Sequence, residues 1–510
     1  MLRSAVLLFS AVVLVSASTR NLITNLPGYE GNELPFQMWS GYVTVDATKG
    51  REIFYWFMES QSAQPSKSLP LVFWYQGGPG CSGLGGLLTE NGPITVDEGT
   101  GVTQVFTSWN EIANVVYLEQ PAGVGFSYSN DPEDYNTNDT RAAHDNFAFL
   151  SGFLKVFPEY AASDIWLTGE SYAGVYIPSV AAQIMKHPSS QVFANFRGMM
   201  VGNPVMDCNS ISVTQADIQF QLFYWHGLVS QANWDEWTSN NCRHMPNSES
   251  CQIVMNNTVN QIGVIDQELK HQLLLQTGLD LLEGAQVGED NLPSLDPDDL
   301  YQDFCTDNGT LEFAINNEMC NPIGDRVAAY LNRPDVQSAL RAHAPVGGNW
   351  TECTDYINYT IAGNSMIPHY ESVLAVKPSV SILVYSGDID IATVPFGRTI
   401  VCVDEIPRSS ELKEWQPWFV NRATAGYFQK FDTFTFATVK GAGHEAPQYQ
   451  PVTSWELFER FLDFQDLAPD TAEYHKKHAP QPRHRSHRRN RLTQSSMLRR
   501  HRNRLQQQQP

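Results

Sequence analysis

No HExxH motif occurs in the 510 residues, which excludes the two-histidine zinc site of the common metalloproteases. His444-Glu445 is a lone pair, and the histidines of the C-terminal tail suit only weak, adventitious binding, so neither metal nor cofactor is expected. Basic residues are scarce outside that tail. From His475 onward the chain holds 11 of its 33 Lys and Arg and no Asp or Glu, leaving 22 basic against 55 acidic residues before it, a charge of about −33. Such a body does not attract a nucleic-acid backbone. It suits an acidic compartment, where protonating some carboxylates relieves self-repulsion. Long apolar runs are missing too. The one near the N-terminus, Leu2 to Ala17, is shorter than the roughly 20 residues a bilayer span needs. It reads as a secretory signal (1–17) cleaved at Val15-Ser16-Ala17, with an uncleaved anchor as the alternative.

Cysteines are few, eight in all, and their even count suits disulfides in a secreted or lumenal protein. Five N-x-S/T sequons, at Asn138, Asn256, Asn308, Asn349 and Asn358, agree with that route. The tail, 471–510, is rich in Arg, His and Gln and reads as disordered. A solvated, dispensable tail is the plainer reading; binding to anionic membranes or polymers, or proteolytic removal, are the alternatives.

The remaining length is ample for a filled core. Ser40 to Ala47 and Glu52 to Met58 read as an antiparallel hairpin. Leu69 to Tyr75, Val115 to Leu118, Ile165 to Thr168 and Met199 to Val201 are short apolar runs bounded by turn residues, as in strands covered on both faces. Asp139 to Phe157, capped by Asp139, and Gly174 to Met185 read as helices between them. The rhythm resumes at Val380 to Tyr385 and Phe434 to Val439 and ends in a helix from about Val452 to Leu462. The intervening stretch carries five cysteines and polar helical segments and reads as an inserted cap. The boundaries are 18–203 for the first part of the core, 204–325 for the cap and 326–470 for the second part.

Gly169-Glu170-Ser171-Tyr172-Ala173-Gly174 joins a buried strand to a helix, the setting of a nucleophile elbow. Small neighbours let the chain turn sharply, and the following helix aims N–H groups at a developing oxyanion. Serine needs a base, and the base an orienting acid. Both follow in the order expected of such folds: Asp388 and Asp390 past one strand, His444 in a glycine-rich loop. Asp390 is the preferred acid because it lies further past the strand end; Asp388 is expected to bond its own turn.

These segments resemble the serine carboxypeptidase family of the α/β-hydrolase superfamily. The resemblance extends to Leu71 to Leu84 with its Gln76-Gly77-Gly78-Pro79-Gly80-Cys81 core, to Glu90-Asn91-Gly92-Pro93, to Asn114 to Tyr128 and to Tyr330 to Gln337, and covers roughly residues 25 to 465. It implies an α/β-hydrolase fold, a mostly parallel central sheet flanked by helices with an inserted cap subdomain. It implies Ser171, Asp390 and His444 as catalytic residues and the N–H groups of Gly78 and Tyr172 as oxyanion hole. It pairs Cys81 with Cys353 and suggests Cys242 with Cys251 and Cys305 with Cys320; Cys208 and Cys402 stay unplaced. A thiol-nucleophile role for Cys81 has no base nearby in sequence, so the disulfide is preferred.

The resemblance also assigns a carboxylate-binding set: Gln76, the N–H of Gly77, Glu90 and Glu170, with Trp74 packing nearby. Two carboxyls sharing a buried site cannot both ionise cheaply, so one stays protonated and can donate a hydrogen bond to the C-terminus of a peptide. Gln76 stands where the family more often has Asn, and Ala173 is normal for it. The implied activity is release of C-terminal amino acids from peptides and proteins through an acyl-enzyme, best at acidic pH, in a lysosome or vacuole or outside the cell, with no nucleic-acid partner and a homodimer left open. Two alternatives stand: an acyltransferase of the same family, in which Asp often replaces the Glu before the nucleophile, and a lumenal protective partner with a secondary hydrolase site.

Overall fold

The computed structural model describes residues 18–262 apart from 32–33, 98, 100, 209–210 and 247, the short segments 294–295, 298–301 and 303–304, and residues 323–464 apart from 392, with 467. The signal, Asn308, Cys305, Cys320 and the basic tail therefore lie outside the described residues.

Eleven strands form one sheet. Numbered in chain order they are β1 (Asn21–Leu22), β2 (Met38–Asp46), β3 (Arg51–Met58), β4 (Leu71–Tyr75), β5 (Asn114–Leu118), β6 (Ile165–Glu170), β7 (Phe196–Gly202), β8 (Ser381–Gly387), β9 (Glu411–Val420), β10 (Ala423–Phe431) and β11 (Thr435–Val439). Their order across the sheet is β1-β2-β3-β5-β4-β6-β7-β8-β11-β10-β9. The six strands from β5 to β11 in that order run parallel, and antiparallel strands close both edges.

The parallel centre is buried on both faces, and the apolar runs say why. In β4, Leu71, Phe73 and Tyr75 enter one hydrophobic cluster while Val72 and Trp74 enter the other. In β5, Val116 and Leu118 face the first cluster and Val115 and Tyr117 the second. Side chains alternate faces along a strand, so a strand without polar alternation needs cover on both sides. One cover is α1 (Asp139–Val156) and α2 (Ala173–Met185), which contribute Phe149, Phe153, Val175 and Val180. Pro451–Leu462 covers the other face with Leu457 and Phe458. Each fully buried side chain of this kind adds roughly 1.5–3 kcal/mol.

Two local expectations need correction. The cap of α1 is Asn138, whose Oδ1 accepts from the N–H of Arg141 at 3.0 Å. Asp139 is the first helical residue, and its carboxylate instead accepts from the hydroxyls of Tyr172 and Tyr359, both at 2.8 Å. The hairpin β9–β10 was not foreseen. Its turn is Asn421-Arg422, both at positive φ (51° and 67°), which gives the two-residue connection the twist the strands need. Pro417 lies on β9, the edge strand, where a missing N–H is tolerated.

Between β7 and β8 the chain leaves the sheet. Ile211–Trp225, Gln231–Ser239 and Glu249–Ile262 are helices there, with their own small core around Phe220, Trp237, Cys242 and Cys251. Among the described residues three disulfides are formed: Cys81–Cys353, Cys242–Cys251 and Cys208–Cys402. The last joins the two cysteines the sequence left unplaced, 194 residues apart. Asn138, Asn349 and Asn358 are exposed and Asn256 is half-buried. No helix among the described residues is long and apolar enough to cross a membrane.

Candidate active site

The carboxyl ends of five parallel strands converge, which is where open α/β sheets bind ligands. β4 leads to Gln76, β6 to Ser171, β7 to Asn203, β8 to Asp388 and Asp390, and β11 to the loop of His444. Ser171 has φ 60°, an uncommon conformation for a residue with a side chain, which stores roughly 1–3 kcal/mol of strain. Its backbone is held on both sides: its N–H donates to the Gly202 carbonyl at 3.0 Å, and its own carbonyl accepts from Gly174 and Val205 at 2.9 and 3.0 Å. Gly77 lies directly against it. A Cβ there would fall 2.5 Å from Ser171 Cβ, 2.8 Å from its Oγ and 2.6 Å from the Tyr172 nitrogen. The glycine therefore allows the Gly77–Gly78 segment to touch Ser171, and Gly78 has φ 105°.

His444 Nδ1 and Asp390 Oδ2 are 2.7 Å apart, both buried. Asp390 also accepts from Asn203 Nδ2 (3.0 Å), the Thr393 N–H (3.0 Å) and the Val394 N–H (2.9 Å). All of these groups donate to Asp390, and the His444 ring completes the set when its Nδ1 carries the proton. Burial pulls the His444 pKa down, but the Asp390 charge and hydrogen bond outweigh it and leave the group raised. Asp388 bonds its own backbone as expected and also reaches beyond the turn: its Oδ1 accepts from the N–H of Gly441, which anchors the histidine loop at 2.6 Å. The His444 N–H donates at 2.7 Å to the carbonyl of Asp298, a residue of the interval read as the cap.

Gln76, Glu90 and Glu170 form one buried cluster. Gln76 Nε2 donates to Glu170 Oε1 at 2.7 Å and to Glu90 Oε1 at 3.3 Å. Trp74 does more than pack: its Nε1 lies 2.8 Å from Gln76 Oε1. An indole N–H can only donate, so it fixes the amide with oxygen toward the tryptophan and both N–H bonds toward the acids. The extra methylene of glutamine lets one amide reach both. Burial raises Glu170 well above the carboxylate range, and the charges of Glu90 and Glu445 add to it. Burial raises Glu90 too, against the hydrogen bonds from Glu170 and Gln76. The Oε2 of each acid is buried and reached by no N–H or hydroxyl donor, while the two carboxyls hydrogen-bond each other.

Sequence reasoning missed three groups here. Glu445 brings a third carboxylate, with oxygens of Glu90, Glu170 and Glu445 all within 4.8 Å of one another. Its adjacency to His444 was the available signal. Asn203, at the end of β7, orients Asp390 and also accepts from the N–H of Gly387 at 2.9 Å. Asp298 could not be placed by pattern. The three acids are the group among the described residues that comes closest to a metal site. Gln76, however, points N–H donors into it rather than a lone pair, which fits a proton or an anion better than a hard cation.

A family model described as serine carboxypeptidase matches residues 27–464. Among curated proteins, serine carboxypeptidase-like 36 from Arabidopsis thaliana is 33% identical over 90% of this chain and 88% of its own length. Serine carboxypeptidase-like 25 from the same plant is 35% identical over 86% and 90%. Among solved structures, Kex1(delta)p, a prohormone-processing carboxypeptidase from Saccharomyces cerevisiae, superposes with a TM-score of 0.67 at 20% identity, covering 86% of this chain and 94% of that one. That likeness establishes the shared α/β-hydrolase fold.

Proposed function

Because the chain belongs to the serine carboxypeptidase family, we propose that it removes single amino acids from the C-termini of peptides and proteins at acidic pH, in the secretory pathway or a compartment it feeds. The observation that carries this reading is the Gln76–Glu90–Glu170 cluster one residue from the nucleophile. The two carboxyls, hydrogen-bonded to each other and each with an oxygen that no N–H or hydroxyl reaches, suit a shared proton and the carboxylate of a peptide end.

Ser171 Oγ attacks the scissile carbonyl while His444 takes its proton, and Asp390 stabilises the imidazolium. The N–H groups of Gly78 and Tyr172 hold the developing oxyanion at the end of α2. Collapse expels the C-terminal amino acid, whose nitrogen receives the proton from His444. Water, activated by the same imidazole, then hydrolyses the acyl-enzyme. Gln76, the Gly77 N–H and the protonated member of the acid pair bind the substrate carboxylate. An ionised pair repels it.

The test is hydrolysis of N-blocked dipeptides across pH by the wild type, Ser171→Ala and Glu170→Gln. Release of the C-terminal amino acid, abolished in the first variant and altered in pH dependence in the second, supports the proposal. Ester cleavage without peptide cleavage would favour acyl transfer, and no turnover of either would leave the protective-partner role.

A further inference from the structure

Glu119 is fully buried just past the end of β5, beside the oxyanion segment. Three donors converge on it. Its Oε1 accepts from Ser82 Oγ at 2.6 Å and from Trp350 Nε1 at 2.7 Å, and its Oε2 from the Phe126 N–H at 2.6 Å. Gly125, at φ 50°, wraps so closely that a Cβ there would lie 1.9 Å from Oε1. Burying a carboxyl is expensive, and an apolar core of the same volume is often as stable. Burial raises its pKa to about 7 against the three hydrogen bonds.

The three donors come from separate pieces of chain. Ser82 follows Cys81 in the turn that begins at Gly78, and its Oγ also accepts from the Leu84 N–H at 3.1 Å, capping the helical turns Gly83–Gly85 and Gly86–Glu90. Trp350 lies on the segment that returns to Cys353. The turn is already joined to that segment by the Cys81–Cys353 disulfide and by backbone bonds from Ser82 to Glu352 (2.7 Å) and from Thr354 to Gly80 (3.1 Å). Those links hold the two segments together. The carboxylate adds an anchor on β5, so that turn and returning segment are both set relative to the sheet.

We propose that Glu119 is a positioning residue for the reaction: it sets the turn carrying Gly78 and the helical turns ending at Glu90, and so aligns the oxyanion donor and the carboxylate-binding acid together. The proposal rests on the carboxypeptidase reading. It separates two effects. Misplacing Gly78 lowers kcat for every substrate. Misplacing Glu90 raises KM only for substrates with a free C-terminal carboxylate.

The experiment compares Trp350→Phe, Ser82→Ala and Glu119→Gln with wild type in the full chain. Competent sites are counted by the burst of an activated nitrophenyl ester, and an N-blocked dipeptide is measured beside its C-terminal ester. A wild type that gives a burst but no peptide hydrolysis defeats the carboxypeptidase reading and this proposal with it. Otherwise, per competent site, Trp350→Phe and Ser82→Ala lower kcat on both substrates by about tenfold or more and raise KM severalfold on the free dipeptide alone. Glu119→Gln, which turns an amide donor toward other donors, loses more wherever it folds. If Trp350→Phe and Ser82→Ala melt at lower temperature yet keep wild-type kcat and KM per site, Glu119 is a structural acid and the proposal is overturned.

Discussion

The carboxyl groups of Glu170 and Glu445 come within 4.8 Å of each other, and one is the chain neighbour of Ser171, the other of His444. The strand end that carries Ser171 and the loop that carries His444 therefore meet through these acids. Whatever protonates this cluster acts within reach of the chemistry.

The cluster makes a first prediction about pH. Glu170 is held well above the carboxylate range by burial and by the charges of Glu90 and Glu445, so the pair still holds a proton at acidic pH and loses it as pH rises. For a blocked dipeptide, KM should rise between about pH 5 and pH 8, beyond the ordinary carboxylate range, while kcat changes less. Glu170→Gln should flatten that rise, because an amide does not titrate. A KM independent of pH in the wild type would remove the role assigned to the pair.

Stability should follow the same sign. Glu90, Glu119 and Glu170 all have folded-state pKa values raised above the ordinary one, chiefly by burial. Such groups stabilise fully below the unfolded pKa, and that contribution is lost as pH climbs through the folded value. Glu119, shifted from 4.5 to about 7, alone corresponds to something on the order of 3 kcal/mol. The melting temperature should be higher near pH 5 than near pH 8, and Glu119→Gln should lessen the slope. A wild type that melts higher at the alkaline end would contradict the assignment.

Asp388 and Asp390 are separated by one residue and by function. Asp390→Asn should keep the fold but favour the wrong imidazole tautomer, costing about 10⁴-fold in kcat. Asp388→Asn loses only part of a bond to the Gly441 N–H and should cost less than about tenfold. Equal losses in the two variants would mean that loop placement, not tautomer control, dominates.

Much of this was readable beforehand because the signals were local. Apolar runs such as Leu71–Tyr75 announce a strand covered on both faces, and a serine with Gly169, Ala173 and Gly174 two or three residues away announces a sharp turn. Signals that depend on distant partners were not readable. Cys208 and Cys402 lie 194 residues apart with nothing local to pair them. The alternation of β9 is broken by Lys413-Glu414 and by Pro417, so the edge hairpin had no clean period. Asn138 and Asp139 are both good caps by type, and only the backbone decides which one is outside the helix. Glu445 looked like half of a failed metal motif because its partners come from β6 and from the segment after β4.

Gly77→Ala tests the contact between oxyanion segment and nucleophile. The added methyl would sit 2.5 Å from Ser171 Cβ and 2.6 Å from the Tyr172 nitrogen, inside any allowed contact. Either Ser171 or the segment must shift. A displacement near 1 Å at the reacting groups costs on the order of 10²-fold. The loss should appear in the ester burst rate as well as in peptide hydrolysis, with circular dichroism unchanged. A full-rate burst would show that the contact is not needed for reactivity.

Glu445→Gln isolates the third acid. Its charge contributes to raising the Glu170 pKa, after burial and Glu90. Removing it takes one negative neighbour from the pair, so the pair should ionise at lower pH and the rise in KM should begin at lower pH. His444 and Asp390 keep their mutual bond, so kcat near the acidic optimum should stay within a few-fold of wild type. The pH at which KM doubles, measured for wild type and variant on one blocked dipeptide, reads the effect directly. A midpoint that stays put would mean that Glu445 is screened from the pair, and that Glu90 and Glu170 titrate as an isolated couple. A midpoint that moves upward would reverse the sign of the electrostatic argument and count against a shared proton altogether.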